Sequence, residues 1–123
     1  MSKMTSPRND FLYGNSDLRK EAPMAQGLLW YFPDALAAVA NVSKIGNSQH
    51  NPGLPMFHDR SKSGDHADCI LRHLAHAGEF DKDGVRETAK VAWRALAMLQ
   101  EELERVHELP LPQNASYQGE AVD

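Results

Sequence analysis

Between Asp83 and His107 apolar side chains recur at helical spacing, with Val85, Ala89, Ala92, Leu96, Leu99, Leu103 and Val106 on one stripe. No other feature constrains the fold as strongly. Val91, Ala95 and Met98 widen the stripe, and Arg86, Lys90 and Arg94 occupy the remaining arc. A long amphipathic helix must bury that surface against neighbours, and the sequence offers two more helices. One is expected from Pro33, a proline suited to the first helical position, to Gly46, which can close a helix in the left-handed conformation. The other is expected from Ser63 or Gly64 to just before Gly78, with Ala67, Ile70, Leu71 and Leu74 facing a core. No stretch shows sustained strand alternation. The expected class is all-α: a small helical bundle with flexible N- and C-terminal tails. The width of the apolar arc on the third helix calls for a second packing partner, most simply another copy of the chain, so a homo-oligomer, dimer or tetramer, is expected.

At 123 residues the chain suits one domain. Residues 1–22 read as a flexible arm, 23–109 as the helical domain, and 110–123, with two prolines and no apolar repeat, as an extended tail able to lie across a neighbouring subunit. A net charge of −4 and a pI near 5.8 argue against general binding of nucleic acid, which needs a basic surface. The lone Cys69 reads as a small buried hydrophobe. No apolar run approaches a membrane span or a secretory signal, so no membrane is expected as partner and the expected location is cytoplasmic.

The residues able to carry chemistry cluster between Ser43 and Lys90. Asp65 and Asp68 stand at i and i+3 near a helix start, an arrangement that holds a hard divalent cation together with substrate phosphate oxygens. Asp34 on the first helix and Glu87 on the third are further metal candidates, since a metal in a bundle is reached from more than one helix. Lys44, Asn47, His50 and Asn51 surround Gly46 and bring a cation and amides suited to a phosphate or a base edge. Lys62, Arg72 and Lys90 add cations of the kind that converge on a triphosphate, and His73, directly after Arg72, is a candidate for catalysis or substrate binding. His58–Asp59 matches the paired letters of HD phosphohydrolases only weakly. Trp30, Tyr31, Phe32 and Trp93 are candidates for stacking a nucleobase or for filling the core.

Three motifs, KxGNxxHNPG at 44–53, DxxDxxxRHL at 65–74 and GVRxxAKVAWRALAxLQ at 84–100, resemble a phage and bacterial family described as dATP/dGTP diphosphohydrolases. The likeness runs from about Pro23 to Leu111. It implies a small all-α enzyme that hydrolyses deoxypurine nucleoside triphosphates to the monophosphate and pyrophosphate with Mg²⁺ or Mn²⁺, in phage remodelling of the nucleotide pool and, for a phage protein, in the host cytoplasm. The wider MazG-like and dimeric dUTPase group carries EExxE on one helix and ExxD on the next. Here DHAD at 65–68 is the counterpart of ExxD, while the first helix offers Asp34 and no glutamate. On this reading Asp65 and Asp68, with Asp34 or Glu87, hold the ion. Lys44, Asp68, Arg72, His73 and Lys90 are the catalytic set, and Lys44, Asn47, His50, Asn51, Lys62, Arg72 and Lys90 contact substrate. The site is expected to be completed across a subunit interface, with Lys90 or Arg94 of one copy reaching phosphate held by another. The alternative is a helical module that binds a nucleotide or a protein partner without chemistry, which the missing EExxE favours.

Overall fold

A computed structural model of the chain describes residues 16–62, 64–117 and 119, and within them the protein is all-α. A short helix α1, Ser16–Glu21, and a π-helical turn, Ala25–Leu29, lead into α2, Pro33–His50. A loop with one 3₁₀ turn, Arg60–Lys62, reaches α3, His66–Leu74, and a second loop reaches α4, Glu87–His107. The C-terminal segment makes a further 3₁₀ turn at Gln113–Ala115. The part of the expected N-terminal arm at 1–15 and the expected helix start at Ser63 lie outside the described residues.

Three expectations from the sequence are corrected. Helix α2 runs through Gly46 instead of stopping there, and closes at Asn51, whose N–H donates to the Asn47 carbonyl at 2.8 Å. A Cβ at position 46 would meet nothing within 4 Å, so nothing steric enforces a break. Helix α4 begins at Glu87, not at Asp83 or Gly84. Those residues belong to a tight turn in which the Gly84 N–H donates to the Asp81 carbonyl at 2.9 Å, with Gly84 at φ +83°. The third correction concerns which faces are inside. Leu71 and Leu74 are 64% and 50% exposed, and Leu96, Leu99 and Val106 are 49%, 50% and 68% exposed, so the apolar stripes of α3 and α4 are only partly covered within the chain, with Ala89 buried and Ile70, Ala92 and Leu103 half-buried.

What the helices bury instead is largely polar. Among the described residues the buried apolar side chains are Cys69, Val85 and Ala89, and they are joined by buried His66, Glu87 and Glu104. Helix α3 lies against α4 through His66, whose Nε2 is 2.7 Å from Glu101, and His73, whose Nδ1 is 2.6 Å from Glu87. The Arg94 guanidinium donates to His66 Nδ1 at 3.2 Å, which leaves the ring proton on Nε2 to be donated to Glu101. Helix α2 is joined to α4 by the Trp93 indole N–H, donated to Ser43 Oγ at 2.8 Å. The loop before α3 is clamped by Arg60, which reaches both Glu104 oxygens at 2.6 and 2.8 Å while Gln100 donates to the same carboxylate. The C-terminal segment rests on this loop: the His58 N–H donates to the Asn114 carbonyl at 2.8 Å, and the Tyr117 ring meets Phe57 edge-on. No helix among the described residues is long and apolar enough to cross a membrane.

The Arg60 hydrogen bonds hold the Glu104 carboxyl below its usual range of about 4.5. The stabilisation is complete above that value and is lost as pH falls through the lower folded-state value. Glu104→Gln is therefore expected to cost about 2 kcal/mol of unfolding free energy at neutral pH, the scale of a well-buried charge-assisted bond. In urea titrations the gap between the two proteins should narrow on going from neutral pH to pH values well below the carboxylate range. A gap that stays constant there would mean that the ion pair is not its origin.

Candidate functional site

A cavity of about 410 Å³ opens between α2 and α4, walled also by the loops on either side of α3 and by Asn114. Because α2 and α4 run antiparallel, its two ends differ. At one end the Gln49 amide donates to Asp83 at 3.4 Å, and Lys90, His73 and His50 line the space. Toward the other end Trp93 bonds Ser43 and packs against His58, while Asp59 beside His58 and Arg94 beside Trp93 also line the space. Charge is densest at the first end without being confined to it, and the Trp93 and His58 rings stand at the second.

At the charged end Lys90 Nζ sits 2.7 Å from both Asp81 Oδ2 and Asp83 Oδ2. Burial works against the ammonium, but the two carboxylates outweigh it and hold Lys90 above its usual range. Lys90 and the Lys82 N–H in turn pull Asp81 below the ordinary carboxylate range. Burial pushes Asp83 upward, and the bonds from Lys90, Val85 N–H and Gln49 overcome it to leave the group lowered. Beside this cluster, His73, Asp81 and Glu87 each present a ligand atom, all within 4.8 Å of one another. Glu87 is buried at the first residue of α4, where the helix N-terminus favours a carboxylate. The Asp81–Gly84 turn swings Asp81 and Asp83 back toward α4, while the Glu87 N–H donates to the Glu79 carbonyl and closes the base of the loop.

The amides of α2 are spent on the protein itself. Asn47 donates to the Leu54 carbonyl and accepts from the Phe57 N–H and from Asn51, while Asn51 also donates to the Phe57 carbonyl. Both residues line the cavity, but they do so as the clamp on the 54–57 loop. His58, on the same loop, packs edge-on against Trp93 at 4.6 Å, and its Nε2 is buried without a hydrogen-bond partner. Burial, then Arg94 and Arg60, lower its pKa, so the ring is neutral at physiological pH.

Of the residues expected from sequence, the structure gathers Asn47, His50, Asn51, Lys62, His73 and Lys90 around the cavity. Glu87 joins them through His73. Lys44 is exposed and does not line the space; its carbonyl accepts from Ser48. Arg72 is 63% exposed and turns to Cys69 Sγ and Asp65. Asp65 lies just before α3, 57% exposed, between Arg72 and Arg94. Asp68 and Asp34 are exposed and stand apart from the cavity lining. Trp30, Tyr31 and Phe32 are exposed away from it, and of the four aromatic candidates only Trp93 reaches it. Sequence reasoning passed over Asp81 and Asp83. The signal was present: an Asp-Lys-Asp-Gly turn followed at helical distance by Lys90.

Compared with protein-family models, with curated proteins and with solved structures, the chain finds no match in any of the three.

Asn47→Ala is expected to release the Phe57 amide and loosen the cavity wall. Hydrogen exchange at Phe57 should accelerate by roughly tenfold and unfolding free energy should fall by about 1–2 kcal/mol, the cost of leaving a part-buried donor unpaired. Unchanged exchange at Phe57 would show that the loop is held by other means.

Proposed function

We propose that this chain is a metal-dependent nucleoside triphosphate pyrophosphohydrolase that cleaves deoxypurine triphosphates, dATP or dGTP, to the monophosphate and pyrophosphate. The observation that carries the reading is a His73–Asp81–Glu87 donor set beside a cavity that His73, Lys62, Lys90 and Arg94 line together with Trp93 and apolar side chains. A nucleotide asks for the same combination of positive charge and ring-stacking surface. The reaction class comes from the sequence resemblance, and the charged and aromatic side chains around the cavity support it.

The donor set suits a divalent cation, with two carboxylates and one imidazole converging. An imidazole among the ligands favours Mn²⁺ over Mg²⁺, which prefers oxygen. This assignment moves the metal from Asp65 and Asp68 to His73, Asp81 and Glu87. When bound, the ion would polarise a phosphoryl oxygen and lower the pKa of a water. Lys90 shares Asp81 with this set, so with Asp81 holding an ion its ammonium would be available to a phosphate. Lys62 and Arg94 line the same cavity and bring further positive charge toward the developing charge on pyrophosphate. The short His73 Nδ1–Glu87 hydrogen bond already brings these two donors together, and an ion between them would take its place.

Incubation with each of the four deoxynucleoside triphosphates and Mn²⁺, with products resolved, should show pyrophosphate and a deoxypurine monophosphate. Asp81→Asn should reduce turnover by at least about 100-fold, the scale for loss of a metal ligand or its support, while Asp68→Asn should retain most activity. Release of phosphate without pyrophosphate would place the enzyme in another class. Nucleotide binding that persists in EDTA without turnover would favour the non-catalytic module.

We infer also that the active form is a homo-oligomer built on α4. Ala95, Leu96, Leu99 and Val106 share one exposed face of that helix, and the three buried apolar residues among those described are too few to sustain a bundle alone. By helical position this face lies opposite Lys90 and Arg94, which line the cavity of their own chain. A partner docked there leaves each site whole, in contrast to the shared site expected from sequence. Light scattering should report more than one chain at micromolar concentration, and Leu99→Glu should lower the mass. A wild-type monomer would overturn this inference.

A further inference from the structure

We infer that Asn114, delivered by the C-terminal segment, is the residue that reads the edge of the nucleobase. This rests on the nucleotide reading above and names a specificity contact within it.

Three asparagines border the cavity: Asn47 and Asn51 at the end of α2, and Asn114, which also borders a neighbouring hollow beside Arg60 and Gln100. Base recognition needs a group that both donates and accepts in one plane, and an amide is that group. The Asn47 amide is bonded on both its nitrogen and its oxygen, and the Asn51 nitrogen is bonded to Asn47 and to Phe57. Neither can turn to a ligand without releasing the 54–57 loop. Asn114 is different: it engages the protein through its backbone carbonyl, which accepts the His58 N–H at 2.8 Å, and its side-chain amide makes no hydrogen bond among the described residues. It therefore has a free donor and acceptor on an anchored main chain.

Its position suits the task. Asn114 is tied to His58, which packs against Trp93, so the residue stands at the Trp93 end of the cavity and not at the His73–Lys90 end. A triphosphate held at the charged end places its base toward this wall. The segment that carries Asn114 is fixed on two sides, by the His58 bond and by the edge-on contact of Tyr117 with Phe57. The tail is thus a wall of the substrate pocket.

The test compares two ligands of the full-length protein in the presence of Mn²⁺: a deoxynucleoside triphosphate, and inorganic tripolyphosphate, which has the phosphates without the base. Asn114→Ala should raise the Kd for dATP or dGTP by about tenfold, the loss of one good hydrogen-bonded contact, and leave the Kd for tripolyphosphate unchanged. Circular dichroism and the melting temperature of the free variant should match wild type, since only an exposed side chain is removed. Equal weakening of both ligands, or of neither, overturns the assignment. A wild-type protein that binds tripolyphosphate but no deoxynucleotide also overturns it while leaving the phosphate site standing. A protein that binds neither ligand overturns the nucleotide reading, and this inference falls with it.

Discussion

The fold depends on the charged face of α4. Glu87, Lys90, Arg94, Glu101 and Glu104 share one face of that helix, and each is paired with a residue from another part of the chain: His73, the Asp81 and Asp83 turn, Asp65 and His66, His66 again, and Arg60. Apart from local pairs such as His76 with Glu79, α3, Arg60 and the Asp81–Asp83 turn find their positions by matching charge along this one seam, while the amides of Asn47 and Asn51 hold residues 54–57. Such pairing is directional where apolar contact is not, so it fixes register even though little apolar surface is buried.

That arrangement makes structure and chemistry share the same residues. Lys90 and Glu87 hold the loop between α3 and α4 in place, while Lys90 lines the cavity and Glu87 reaches it through His73. Removing either charge would leave its partner in a partly desolvated environment, so loss of function and loss of stability are hard to separate at those positions. Positions that line the cavity without holding the fold, such as Asn114 and Lys62, separate the two more cleanly.

Much of the fold was legible in the sequence, because helix existence depends on local rules. Pro33 set the start of α2, and the period of apolar residues carried α4 to His107, which is where it ends. The orientation of the helices was not legible. Periodicity identifies an apolar stripe, but whether that stripe faces the chain's own interior is decided by the partners of the opposite face. Here those partners are polar and distant, as with Arg60 and Glu104, 44 residues apart. Asp81 and Asp83 were missed for a related reason: Asp-Lys-Asp-Gly reads as an ordinary helix start, and only the fold shows Lys90 reaching back to both carboxylates. The asparagines failed in the other direction. Their chemistry suited a ligand, but the Leu54 and Phe57 backbone claims it.

Gly46 has a consequence of its own. It sits within α2, where glycine costs about 1 kcal/mol relative to alanine, and a methyl group there would touch no protein atom within 4 Å. Considered only as a piece of helix, the position would accept alanine and gain from it. Its surface, however, forms part of the cavity wall. The helix is thinnest where it passes the cavity, and the room left by the missing side chain belongs to whatever enters from outside the chain.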